Sequence, residues 1–179
     1  MLEETDRLIS DLGSHSHYYG KYRGLVVDNR DPTTKGRLRV TVQAVLGDEQ
    51  VWAMPCVPYA GPSLGFYMLP ELGTGVWVEF EGGDVSYPVW TGCFWNAGDI
   101  DSADSDPSIK FIKTNKFTLR IDDGNGEIII ENDSGSQIKM TAQEIVIKSS
   151  AVNQEAAAGR KTELTAASFR VNNGSVEVL

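Results

Sequence analysis

The chain has 179 residues, a formal net charge of −9 and a sequence pI near 4.7. That length allows one domain or two small ones. The acidic balance, spread through both halves rather than held in a tail, argues against a surface built to grip phosphate backbones. No apolar run approaches the roughly 18–20 residues that span a bilayer. The opening Met1-Leu2-Glu3-Glu4-Thr5-Asp6 lacks the hydrophobic core of a signal peptide. The expectation is a protein made in the cytoplasm and kept there until it is assembled.

Residues 1–19 read as an N-terminal arm. Leu2, Leu8, Ile9 and Leu12 form a short helical stripe among acids, marginal on its own. His15-Ser16-His17 follows. Two histidines flanking one residue point to the same side of a strand, so three copies could surround a metal on a threefold axis. A surface or linker role is the expectation, with no metal or cofactor assigned and His15 and His17 kept as candidate ligands.

From Tyr22 to Cys56 the pattern is strand, turn, strand, loop, strand. Leu25-Val26-Val27 runs into the turn-rich Asp28–Gly36. Arg37-Leu38-Arg39-Val40-Thr41-Val42 alternates a wet face with a dry one. Lys35, Arg37 and Arg39 are expected to be solvated or to pair across subunits. The stretch Pro55–Gly65 carries three prolines and cannot be helical. Its apolar residues are expected to pack against a neighbour.

Val76, Val78 and Phe80 alternate with Trp77, Glu79 and Glu81, the period of a strand with one covered face. Gly82-Gly83-Asp84 and the aromatic, β-branched run from Tyr87 complete a hairpin, with Pro88 at the head of its second strand. Trp52, Trp77, Trp90 and Trp95 read as core and interface mass. Cys56 and Cys93 lie in apolar strand patterns and read as buried free thiols.

Gly24, Asp31-Pro32, Lys35–Val40, Trp52, Pro58-Tyr59-Ala60-Gly61, Gly65, Pro70-Glu71, Gly73 and the Gly-Asp turn before Pro88-Val89 form an ordered series. That series resembles the OB-type barrel of central spike proteins of contractile injection systems: contractile phage tails, R-type pyocins, extracellular contractile injection systems and the type VI secretion spike. The resemblance covers residues 20–97. It implies an all-β fold, with an OB-type barrel followed by a trimeric, intertwined β-helical needle.

Residues 98–107 read as an acidic linker with little to bury. It is too short for the lysozyme domain that some phage spikes carry at this point. Residues 108–179 hold short alternating runs separated by turns: Ile109–Ile112, Phe117–Ile121, Glu127–Glu131, Gln137–Met140, Glu144–Lys148, Ser168–Val171 and Ser175–Val178. The spacing suggests a β-solenoid or a small sandwich. So few large apolar groups per strand cannot fill a sandwich core, but three intertwined chains could share them, as the resemblance implies. Ser149–Glu163 breaks the pattern, and Ala156-Ala157-Ala158-Gly159 leaves a bulge, a short helix or a loop open.

No catalytic constellation appears. Asp122/Asp123 and Glu79/Glu81 have no neighbouring His or apolar pocket to split their pKa values, and no nucleophile elbow, zinc helix or phosphate loop is present. The chain reads as not an enzyme. The resemblance implies a homotrimer at the tube end of the baseplate, piercing the target envelope on sheath contraction. Its implied partners are a hub or tube protein at the barrel, other baseplate proteins, and a transiently contacted target membrane, with no nucleic acid. The chain has no His after His17, so a metal-locked C-terminal tip is not expected. A PAAR-like tip protein docking through Val176, Val178 and Leu179 is expected instead. The alternatives are a single-stranded nucleic-acid-binding OB module with a β extension and a spike-fused hydrolase.

Overall fold

The computed structural model describes residues 17–172 and 176–178. The helical stripe of residues 1–12, His15 and Leu179 therefore lie outside the described residues. The chain divides into two compact units, residues 1–99 and 100–179, and both are built almost wholly of strands.

In the first unit β1 (Tyr22–Asp28), β2 (Leu38–Thr41), β3 (Gln50–Pro55), β6 (Gly75–Phe80) and β7 (Pro88–Cys93) close a barrel in the order β1-β2-β3-β7-β6. Neighbours pair antiparallel except β3 and β7, which run parallel at Met54↔Val89 and Pro55↔Trp90. One helical turn, α1 (Gln43–Leu46), bridges β2 to β3, and a two-stranded ribbon, β4 (Ala60–Gly61) and β5 (Leu64–Gly65), lies in the long loop after β3. The closed five-strand order is consistent with the OB-type barrel expected from the sequence.

The alternation dictates the core. Leu38, Val40 and Val42 turn inward while Arg39 stays exposed, and Val76, Val78 and Phe80 turn inward between half-buried Trp77 and Glu79. With Val26, Ala53 and Trp90 they form one apolar cluster. Burying each of the valines, Leu38 or Phe80 is worth about 1.5–3 kcal/mol, and closure leaves none of these strands with an open edge. Gly75 is required by packing, because a Cβ there would meet the Phe94 ring at 2.5 Å.

The hairpin between β6 and β7 has a wider connection than a tight turn. A single 3-10 turn, Glu81–Gly83, precedes a bend in which the Tyr87 amide donates to the Asp84 carbonyl. Gly82 and Gly83 both take positive φ there, which Gly adopts without a Cβ penalty. The arm seals this connection: the Tyr18 amide donates to the Gly83 carbonyl at 2.9 Å, and the Tyr18 ring packs on Phe80 and Tyr22.

Two expectations are corrected. Cys56 and Cys93 are exposed rather than buried. Cys56 falls one residue past β3 and Cys93 at the last position of β7, beyond the cover of the interior, although partial desolvation still pushes the Cys93 thiol pKa up. Arg37 is neither free in solvent nor reserved for a subunit contact. Its Nε and Nη2 donate to Asp31 at 3.0 and 2.8 Å, and its guanidinium lies 5.2 Å from the Trp52 ring centre.

Asp31 is the polar pin of the β1–β2 loop. Besides Arg37, its carboxylate accepts from the amides of Thr33 and Lys35 and from the Thr33 hydroxyl, and only 3% of its side chain is exposed. The Arg37 contact first, and then these amides, hold its pKa well below the usual carboxylate range. A carboxyl depressed in the folded state stabilises above its unfolded pKa, about 3.9. That contribution is lost as pH falls below this value toward the folded one. Asp31→Asn should therefore weaken the barrel at pH 7 and flatten its loss of stability below about pH 4. Tryptophan fluorescence during denaturant unfolding reports on the barrel alone, since all 4 tryptophans precede residue 98. A variant with the wild-type midpoint at pH 7 would contradict the pin.

Candidate assembly interface

The second unit is a run of hairpins. β8 (Ile109–Lys113), β9 (Phe117–Asp122), β10 (Glu127–Asn132), β11 (Gln137–Met140) and β12 (Ile145–Lys148) form an antiparallel sheet in sequence order. β13 (Ala151–Ala156), β14 (Arg160–Thr165), β15 (Phe169–Val171) and β16 (Val176–Val178) form a second sheet in the same manner. Most of the turns are closed by a short polar side chain that accepts backbone amides, the local chemistry that favours these residues in turns. Thr114 accepts from Lys116 and Phe117, Asp122 from Asn125, Asn132 from Ser134 and Ser136, Thr141 from Gln143 and Glu144, and Thr165 from Ala167 and Ser168.

Register then decides which side chains share a face. Ile112, Leu119, Ile130, Ile138 and Ile147 lie in one cross-strand row over β8 to β12. Lys110, Ile121, Ile128, Met140 and Ile145 form the row beside it. Phe117 extends the same face. In the single chain this face is open: Ile145 is 65% exposed, Phe117 59% and Ile147 52%. The cation in the second row, Lys110, is ion-paired to Asp123 of its own chain, so no unpartnered charge interrupts the apolar surface.

The opposite face is mixed and satisfied within the chain. Arg120 pairs with Asp104 and Asp122, Lys113 with Asp101 and Asp104, and Lys139 with Glu127. Asp106 accepts from the Ser108 amide and hydroxyl, which lower its pKa. The acids Asp101, Asp104 and Asp106 are thus tied to the second unit. Asp122 is buried, and its pKa is lowered first by its hydrogen bonds from Asn125 and then by Arg120.

Ser149–Glu163, where the sequence alternation fails, holds β13 and the first four residues of β14. Their connection Ala157–Gly159 has Ala158 and Gly159 at φ of 65° and 72°. Val152, Leu164 and Phe169 share a row, with Val178 next in register. A groove of about 340 Å³ is lined by Phe117, Ile130, Ile138 and Ile147 of the first sheet and by Val152 of the second.

Of the residues singled out from sequence, His17 is exposed, with Nδ1 3.2 Å from the Gly82 carbonyl and its ring stacked on Tyr19. No cluster of three or more His, Cys, Asp or Glu suited to a metal occurs among the described residues. Val176 is exposed, and Val176 and Val178 lie on β16, the outer strand of its sheet. On the barrel, Tyr59, Leu64, Phe66 and Tyr67 stand exposed around a cleft of about 370 Å³ floored in part by Pro55 and Trp90. The sequence indicated an apolar loop here but not the cleft, because the cleft depends on the segment after β5 returning to Gly36, beside Tyr67 and Leu69. No helix among the described residues is long and apolar enough to cross a membrane.

Comparison with protein families gives two matches that together span most of the chain. Residues 22–95 match the type VI secretion system/phage-baseplate injector OB domain. Residues 108–177 match the phage baseplate V C-terminal trimerisation domain. Both descriptions name structural modules rather than enzymes. No individual curated protein shows a significant match to the chain. The trimerisation match coincides with the open apolar rows and supports a homotrimer.

Ile130 and Ile138 sit in the middle of the apolar face and pair with each other. Placing a charge there would bury it on association, at a cost of several kcal/mol per ion. Ile130→Lys should abolish self-association at micromolar concentration in sedimentation velocity, whereas Lys148→Ala, on the opposite face, should leave it intact. Equal self-association of the two variants would show that this face is not the contact.

Proposed function

The chain belongs to the injector family of phage baseplates and type VI secretion systems, and from that premise we propose that it is the trimeric central spike of a contractile injection machine. The observation that carries the reading is the uninterrupted apolar face on a sheet that matches a trimerisation domain, in the same chain as an injector-type barrel. Three such faces meeting about an axis would give every chain the second layer it lacks. The sheets would then wind into a narrow β-helical needle with its charged rows outward.

The work of the proposed spike is mechanical. Sheath contraction supplies the force, and the spike must enter the target envelope without unfolding. Continuous hairpin pairing and a dry interior serve that end, since unfolding would have to break many strand pairs together. The barrel would sit at the tube end against a hub protein and other baseplate components. The exposed Tyr59, Leu64, Phe66 and Tyr67 would supply contact area to a neighbouring copy. At the far end, the open edge of β16 would receive a PAAR-like tip protein through Val176, Val178 and Leu179. A single-strand-binding role has less support, because Arg37 is already engaged by Asp31 and Trp52 and the chain is acidic overall.

Electron microscopy of particles from producing cells tests this reading. Wild-type particles should show threefold density on the axis beneath the tube, and cells lacking the chain should yield no particles that kill or infect. A chain without residues 175–179 should retain the axial density but lose the density of a tip protein. Active particles without the chain would contradict the spike role, and an unchanged tip in the truncated form would contradict docking through β16.

A further inference from the structure

The second sheet of the trimerisation unit differs from the first in one respect. Its apolar face carries a hydrogen-bonded polar pair on neighbouring strands, whereas in the two rows of the first sheet Lys110 is the one polar residue. Row one is Val152, Leu164 and Phe169 with Val178 in register, and row two is Gln154, Thr162, Val171 and Val176. Gln154 and Thr162 are cross-strand partners, and the Thr162 hydroxyl donates to the Gln154 side-chain oxygen at 3.0 Å.

The reverse face shows that these two residues are not on the solvent side of the pattern. Asn153, Glu163 and Arg170 form its central row, with Glu155 opposite Lys161 beside them. That face is the charged one. Gln154 and Thr162 therefore share the face of Leu164, Val171 and Val176, and Val152 of the same face lines the groove with Phe117 and Ile147 of the first sheet. The stretch also lies inside the match to a trimerisation domain, which ends at residue 177. Two further copies of this chain are the occupants that this continuity points to.

We propose that the Gln154–Thr162 pair sets the register of the three chains. This inference rests on the trimeric reading. An apolar row alone does not fix alignment, because valine and leucine tolerate slippage past one another almost equally well. Slippage by one strand would set a hydrogen-bonding amide against aliphatic side chains and leave it unsatisfied in a dry contact. A buried polar residue in an apolar seam specifies alignment and copy number at some cost in stability. After its bond to Thr162, the Gln154 side chain keeps two N–H donors and part of its acceptor capacity. Three copies at one level could satisfy these across the axis.

The test uses the full chain with Gln154→Leu, Thr162→Val and the double substitution. Sedimentation equilibrium reads the strength of association, native mass spectrometry the copy number, and hydrogen exchange over residues 151–165 the number of registers. Each single substitution should weaken assembly at least ~10-fold, since the remaining polar partner is buried unsatisfied. The double variant should recover wild-type affinity or exceed it, but with mixed copy number or two exchange patterns. A double variant that remains a pure trimer with one exchange pattern overturns the proposal. So do single variants that bind as tightly as wild type, because the pair would then be in water. A monomeric wild type would overturn the trimeric reading itself, and the register proposal with it.

Discussion

A β-sheet with one apolar face must cover that face, and the described residues of the second unit leave it exposed. One row of isoleucine and leucine runs over five strands and a second, of isoleucine and methionine, over the four strands β9 to β12. The second sheet contributes Val152 to a groove on this face, yet Ile130, Ile138, Ile145 and Ile147 remain exposed. At about 25 cal/mol per Å² of apolar surface, leaving such a face in water forfeits the main favourable term in folding. The hairpins and their polar turn closures present this surface, while the mixed reverse face pairs its charges within the chain. The trimerisation-domain match supports its completion by other copies of the chain.

The barrel is the contrasting case. Its valines and Trp90 are buried within one chain, its strands close on themselves, and its most constrained loop is pinned by Asp31 without help from a neighbour. The two units therefore divide the demands on the chain. The first carries its own core, whereas the second keeps its apolar surface outward. The trimerisation domain matched by residues 108–177 agrees with that division.

Much of this was legible in the sequence wherever apolar residues alternate strictly. Val76, Val78 and Phe80 announced β6, and Leu38, Val40 and Val42 announced β2 with its inward face. The runs from Ile109 to Lys148 fell on five observed strands. The β13–β14 hairpin was not legible, because Gln154 and Thr162 replace aliphatic residues on its apolar face and Ala157–Gly159 gives no turn signature. Its strands are held by pairing with each other rather than by burial, a feature that composition does not encode. The exposure of Cys56 and Cys93 was missed for a similar reason. Their neighbours are apolar, but strand ends, not strand patterns, decide what the barrel covers. Nor could sequence show that Arg37 belongs to Asp31, since their meeting depends on the fold of the turn between them.

The claim on which the account depends is that the isolated chain completes its sheets with two further copies of itself. Sedimentation equilibrium of the intact protein tests it most directly. The account predicts a single species of three times 19.6 kDa, unchanged on dilution through the micromolar range. A soluble, folded species of 19.6 kDa would mean that the apolar face is stable in water or covered from within the chain, and would contradict the account.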